Sequence, residues 1–321
     1  MGSTKLWQRF REYVFGTASQ HYGHDQIIRK WTQYPAWLPL NIQIQHGFYA
    51  DQIPELHEKK KRIRVMLTWS SRIADKWIQG SNRPAVVLGA PFTLYRQMMG
   101  IQQSEDARGT VVFPDHSTPN TFHEHNVEEY AASLRALPDH LKPITICLHH
   151  RDMDYYGPLF SEQGFTVVTA GHGRQPNFGF VRRFYEILSA HRYCSSNFIG
   201  SFTFYAVEMG IPFFIWGPES KIIDTRLGNV EVPRQHYSLQ LLEEFSGHGY
   251  EISDRQRRLV LSETGVEDRE NPDTVRRLFV KDLVLHEIWL YPLRALWFFP
   301  SLLWRRVLAY QDQRHQGSNG G

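Results

Sequence analysis

Four short segments within residues 144–219 decide the fold: ITICLHHRD at 144–152, TVVTAGHGR at 166–174, RYCSSNFIGS at 192–201 and PFFIWGPE at 212–219. Each is an apolar run that stops at Gly, Ser, His or Pro. Continuous apolar runs of about four to eight residues read as strands covered on both faces. Residues 155–162, 178–190 and 199–209 between them have helical spacing, and strands alternating with helices feed a parallel sheet. Upstream, the same pattern gives strands at 41–45, 64–68, 85–88 and 110–113, with helices at 72–79 and 94–99. A helical stretch at 127–137, broken by Pro138, separates the two series.

The expected architecture is α/β: two Rossmann-like doubly wound parallel-sheet domains facing a cleft, each with about four strands. Length agrees, since 321 residues correspond to roughly two domains. The expected boundaries are 1–130 for a short N-terminal domain, 131–284 for a C-terminal domain, and 285–321 for an aromatic and basic helix with its tail. Residues 220–273 are more polar and less periodic, and are expected to be loops with one helix at 239–245.

Composition narrows the function. Lys and Arg number 36 against 33 Asp and Glu, a net charge of +3, which leaves no polycationic surface to neutralise a phosphate backbone; nucleic acid is not an expected partner. Cys147 and Cys194 offer neither a disulfide framework nor a zinc spacing, and favour a reducing, cytoplasmic setting. The opening MGSTKLWQRFREYVFG has no apolar core of signal-peptide length, and Leu6 stands where a myristoylation pattern wants Ser or Thr. Residues 285–310 are rich in Trp, Phe and Leu but interrupted by Arg294, Arg305, Arg306, Pro292 and Pro300. They are too short to span a bilayer. They read either as an interfacial helix at the inner face of the membrane or as a closing helix packed back on the N-terminal domain.

Ligands of open parallel sheets bind beyond the carboxyl ends of the strands, where helix N-termini aim backbone N–H groups outward. In the second half those positions hold His149, His150, Arg151 and Asp152; Gly171, His172, Gly173 and Arg174; Ser195, Ser196 and Asn197 leading to Gly200 and Ser201; and Gly217, Pro218 and Glu219. Any one such turn is rich in Gly and Ser simply because those residues cap helices and tolerate tight turns. Four on one edge point to a diphosphate or nucleotide cradle. In the first half the positions are Gln45-His46-Gly47, Trp69-Ser70-Ser71, Gly89-Ala90-Pro91 and Pro114-Asp115-His116-Ser117. His46 is the first candidate for a general base, with Gly47 leaving room for substrate; His116 is the next, and Asp115 could orient an imidazole.

Other chemistries are not supported. Gly171-His172-Gly173 lacks the third glycine of a dinucleotide fingerprint, and there is no GxSxG elbow or GxxxxGK[ST] loop. His123-Glu124-His125, placed at a helix start, would splay its imidazoles, and Asp152 and Asp154 fall in a turn. No metal and no cofactor are expected.

The run Ile42 to Gly47 resembles the "QHG" element of CDP-glycerol glycerophosphotransferases, and Gly89-Ala90-Pro91 is similar to their "GxP" turn. Ser195 to Pro212 resembles the nucleotide-side "S…EAxxxGxP" segment. Over about residues 40–217 the chain thus resembles GT-B glycosyltransferases of bacterial surface-polysaccharide synthesis, such as those of capsule. The resemblance implies a donor nucleotide in the C-terminal domain and an acceptor against the N-terminal one. It implies His46 as catalytic base, with Ser195, Ser196 and Ser201 on donor phosphate. Glu208, with the order changed to Ala206-Val207-Glu208, would be the acidic residue gripping the donor, and Gly47, Gly89 and Pro91 would face the acceptor. The expected function is metal-independent transfer of a sugar from a nucleotide-activated donor to a polysaccharide or lipid-linked acceptor. Transfer of glycerol phosphate or another polyol phosphate, and a sugar-nucleotide-binding protein without catalysis, are the alternatives.

Overall fold

The computed structural model describes residues 21–40, 42–49, 64–173, 177–233, 239–246 and 250–298, with Leu6, Trp7, Phe10, Val14 and Pro300. Arg174 and the part of 285–310 that includes Arg305 and Arg306 lie outside the described residues. The chain divides into two compact units. One gathers the described residues of Met1–Ala18, Thr32–Ile42 and Asn271–Gly321; the other comprises Ser19–Trp31 and Gln43–Glu270.

The larger unit is α/β and contains both parallel sheets. The first has the order β1 (Gln43–Ile44), β2 (Met66–Thr68), β3 (Ala85–Val87). The second has five strands in the order β7 (Thr166–Val168), β6 (Ile144–Cys147), β4 (Thr110–Val112), β8 (Tyr193–Ser196), β9 (Phe213–Ile215), all parallel. Ranked along the chain, this is a 3-2-1-4-5 winding. Such a sheet reverses its strand order between its first and fourth strands, here β4 and β8.

Every strand expected in these two series is present, but β4 changes sides. Sequence placed it last in the first domain; it is the central strand of the second sheet. The sheets therefore part before Thr110 rather than at residue 130, and hold three and five strands. A third, antiparallel sheet, β5 (Thr121–Glu124), β10 (Lys221–Asp224) and β11 (Val230–Val232), occupies positions read as a helix start and as loops. The helix expected at 239–245 is observed as Leu239–Phe245.

Local chemistry fixes the helices that carry the site. Pro91 opens the helix Pro91–Met99 at a position that needs no N–H, and Gly100 ends it with a positive φ of 63°. The helix Ser201–Met209 ends on Gly210 at φ 92°. The helix Asp254–Thr264 starts on a capping box of Ser253 and Gln256. Its far end closes over the first sheet: Ala90 N donates to Thr264 O at 2.8 Å, and Arg72 makes a bidentate pair with Glu263.

In the smaller unit the helix Pro272–Asp282 runs into a π-helical turn, Leu283–Glu287, and residues 290–298 are helical. Buried Glu287 pairs with Arg294, whose guanidinium also donates to Val14 O. This segment leaves Leu285, Trp289, Leu293, Leu296 and Trp297 exposed, the two indoles at 73% and 64%. Among the described residues no helix is long and apolar enough to cross a membrane.

Candidate functional site

The carboxyl edges of the two sheets meet inside the larger unit. The turn after β1 is locked by buried Gln45: its Nε2 donates to Gly47 O at 2.8 Å, and its Oε1 accepts from Trp69 N at 2.8 Å. Phe48 N then donates to Ser201 Oγ at 3.0 Å, and the Phe48 ring stacks on Phe204 at 4.0 Å. A Cβ on Gly47 would stand 3.2 Å from Ser201 Oγ, so the absence of a side chain permits this approach. His46 is half-buried at the rim of this junction.

His46 is surrounded by residues that sequence reading did not single out. Its ring lies 5.1 Å from that of His21, edge to face, 5.4 Å from Tyr22 and 6.5 Å from His24. Tyr22 adopts φ +57° and its N–H donates to Gly173 O at 2.5 Å. A side chain on Gly173 would strike the Tyr22 ring, so this glycine is the seat of the segment. Burial, with His46 and His21 adding repulsion, holds the His24 imidazole well below its ordinary pKa. The signal was a His-Tyr-Gly-His run at 21–24, but it precedes the first strand, and no strand gives it a direction.

Across the edge of the second sheet, four imidazoles form a ladder. His116 stacks on His149 at 4.4 Å, His149 lies 4.2 Å from His150, and His150 lies 4.4 Å from His172. They come from the turns after β4, β6 and β7, three neighbouring strands. Burial first, then the neighbouring imidazoles and Arg151, pushes His149 down to about 2. The same causes lower His150. Arg151 also faces the Tyr22 phenol, whose pKa burial raises. Gly171 takes φ +85° in the third of these turns.

Asp115 is engaged elsewhere. Its Oδ2 lies 2.8 Å from His123 Nδ1 and accepts from Ser220 Oγ at 3.1 Å, while His125 Nε2 lies 2.7 Å from its carbonyl. The expected splaying of His123 and His125 is overturned: His123 lies in the strand β5 rather than at a helix start, His125 follows directly on it, and both rings reach Asp115. Ser220 lies on the Nδ1 side of His123, beside the carboxylate, so the trio lacks the relay geometry of a nucleophilic serine. Asp115 N donates to Asn197 Oδ1 at 2.9 Å, joining the chain after β4 to the chain after β8 at the point of reversal.

Several residues assigned to the donor serve the fold. Ser195 and Ser196 are fully buried within β8, and the Ser196 hydroxyl donates to Phe113 O. Glu208 is held by Arg96 at 2.6 and 2.7 Å and by Gln97 at 3.0 Å, its side chain only 2% exposed. Gly89 packs under the Thr264 carbonyl, and Pro91 is buried at its helix start. Gly200 caps the helix Ser201–Met209 against the Phe202 ring, and Ser201 Oγ lies between the Phe48 amide and Tyr205. Burial pushes the Cys147 thiol up to about 12 and Cys194 well above its usual value, so neither is a ready nucleophile. Among the described residues no three His, Cys, Asp or Glu side chains converge as metal ligands would.

No family model and no curated protein match the chain. Solved structures do. UDP-GlcNAc 2-epimerase from Neisseria meningitidis bound to UDP-GlcNAc aligns with 11% identity and a TM-score of 0.39, over 82% of this chain and 73% of that one. The wall teichoic acid polymerase TagF soaked with CDPG aligns with 11% identity and a TM-score of 0.36, over 78% and 69%. Another structure of the wall teichoic acid polymerase TagF aligns with 12% identity and a TM-score of 0.33, over 76% and 68%.

Proposed function

We propose that the chain is a metal-independent transferase that takes a sugar from a nucleotide-activated donor to a polysaccharide or lipid-linked acceptor. The observation that carries this reading is the junction at Phe48 and Ser201, which brings His46 to the carboxyl edge of a 3-2-1-4-5 sheet lined by Arg151 and four imidazoles. A neutral His46 takes the proton of the acceptor hydroxyl. The oxygen bonds to the anomeric carbon as the bond from that carbon to the donor phosphate breaks. The departing nucleotide carries the negative charge. Arg151 and the first backbone amides of the helix Ser201–Met209 supply the positive field that meets it, and ring N–H groups of His149, His150 and His172 can donate hydrogen bonds to it. Glu208, Ser195 and Ser196 are left out of this assignment because their polar atoms are satisfied or enclosed by the fold.

The test is a thermal-shift panel of CMP, CDP, UDP and GDP, followed by product analysis with the donor of the nucleotide that binds. A glycosidic product supports the reading. A phosphodiester would move it to glycerol-phosphate or polyol-phosphate transfer, with attack at phosphorus in the same cradle. Binding without turnover on any acceptor would leave a sugar-nucleotide-binding protein. The exposed indoles of Trp289 and Trp297 support contact of that segment with a lipid surface, where a lipid-linked acceptor would be met.

A further inference from the structure

We propose that Tyr22 is a ligand-binding residue of the donor site: its phenol donates a hydrogen bond to the phosphate of the bound nucleotide. This rests on the donor site proposed above and adds to it a residue that precedes the first strand.

Backbone and ring contacts hold Tyr22 in place. Its N–H donates to Gly173 O at 2.5 Å, in the turn after β7. It takes φ +57°, which an aromatic residue rarely adopts, and outliers of this kind cluster at ligand sites. Gly173 makes the approach possible, since a Cβ there would stand 2.7 Å from the ring. The ring then lies 4.7 Å from that of Phe180, 5.4 Å from His46 and 6.3 Å from Phe92. These contacts fix the ring, and none of them uses the hydroxyl.

Around that hydroxyl stand groups suited to an anion. The Arg151 guanidinium acts on the phenol through its charge, and the phenol in turn acts on Tyr205, which is hydrogen-bonded to Ser201. Ser201 opens the helix Ser201–Met209, whose first amides favour negative charge. Its own Oγ is taken, accepting from Phe48 N at 3.0 Å and meeting Tyr205. The Tyr22 hydroxyl is not: no described residue makes a hydrogen bond to it, although the side chain is half-buried. Burial raises its pKa, which keeps the phenol a neutral O–H donor near neutral pH. Beside a guanidinium the ligand atom that fits is an anionic oxygen, and a hydrogen bond from the phenol to such an oxygen is charge-assisted. His46, beside the same ring, is left to meet the acceptor hydroxyl.

The experiment is calorimetric titration of the full chain, unmodified and as Tyr22→Phe, with UDP, CDP and GDP near neutral pH. Tyr22→Phe keeps the ring that packs beside Phe180 and His46 and removes only the hydroxyl, so the urea midpoint should not move. Affinity for the diphosphate that binds should fall about 10- to 150-fold, the range of one hydrogen bond to a charged group. The corresponding nucleoside, measured by competition, should bind both forms alike. Unchanged affinity for the diphosphate in the folded variant overturns the contact while leaving the donor site standing. A lowered urea midpoint, or failure of the variant to fold, also overturns it, since the hydroxyl would then serve the protein's own structure. An equal loss for the nucleoside would put the hydroxyl on that part of the ligand and overturn the phosphate contact. If the unmodified chain binds none of the three diphosphates, the donor site itself fails, and the contact with it.

Discussion

Replacing Glu208 by Ala separates a binding role from a structural one. Its carboxylate receives both arms of Arg96 at 2.6 and 2.7 Å and the Gln97 amide at 3.0 Å, tying the helix Pro91–Met99 to the helix Ser201–Met209. Burial alone would lower the Arg96 pKa; the hydrogen bond and charge of Glu208 more than reverse this. Arg269, also desolvated, loses a favourable charge in the same change. Removing one partner of an enclosed pair leaves the other uncompensated, at a cost of about 3–5 kcal/mol. That is a large share of the ~5–15 kcal/mol that holds a typical protein folded. Urea denaturation followed by far-UV circular dichroism measures it. Replacing both residues with apolar ones, Arg96→Met/Glu208→Met, should recover much of the loss, because no buried charge is then stranded. Donor affinity, measured where the Glu208→Ala variant remains folded, should be nearly unchanged. A loss below about 1 kcal/mol together with much weaker donor binding would refute the structural role and restore Glu208 to the donor site.

His46→Ala should lower turnover by roughly 10²–10⁴ while donor affinity stays near the unmodified value; unchanged steady-state kinetics would assign the base to another group. Acid should destabilise the empty protein through its neutral-held imidazoles. The pKa values of His149, His150, His24 and His125 are depressed in the folded chain, so their contribution is fully present above the unfolded value near 6.5 and declines as pH falls below it. The urea midpoint should fall from neutral pH toward about pH 5, each such histidine contributing at most about 1.4 kcal/mol per pH unit; a midpoint flat over that range would count against the lowered pKa values. Trp289→Ser/Trp297→Ser should reduce co-sedimentation with anionic liposomes without changing the unfolding free energy by more than about 0.5 kcal/mol. Equal sedimentation of both forms would remove the lipid contact.

The sequence by itself determined the strands and helices of both parallel series, because a strand covered on both faces is written as an unbroken apolar run and a helix as a 3.6-residue period. It also placed His46, His149, His150 and Arg151 at strand ends, since the turn residues that follow a run are contiguous with it. Tertiary structure decided the rest. Thr110–Val112 carries the same apolar pattern in either sheet, and pairing with Ile144–Cys147 and Tyr193–Ser196 alone made it the centre of the second. The strand β5 needed Lys221–Asp224, about a hundred residues distant, before His123 within it and His125 just after it could both reach Asp115. Glu208 at a strand-helix unit near a candidate nucleotide site has the same local sequence whether it meets a ribose or Arg96, and only the packing of two helices distant in the chain settled on the arginine. His21, Tyr22 and His24 reached His46 in the same way, through Gly173, a contact between residues about 150 positions apart that no local period encodes. Local patterns fix which elements form because backbone and burial constraints act over a few residues; partners for polar groups are chosen across the fold, where the chain's separations vanish.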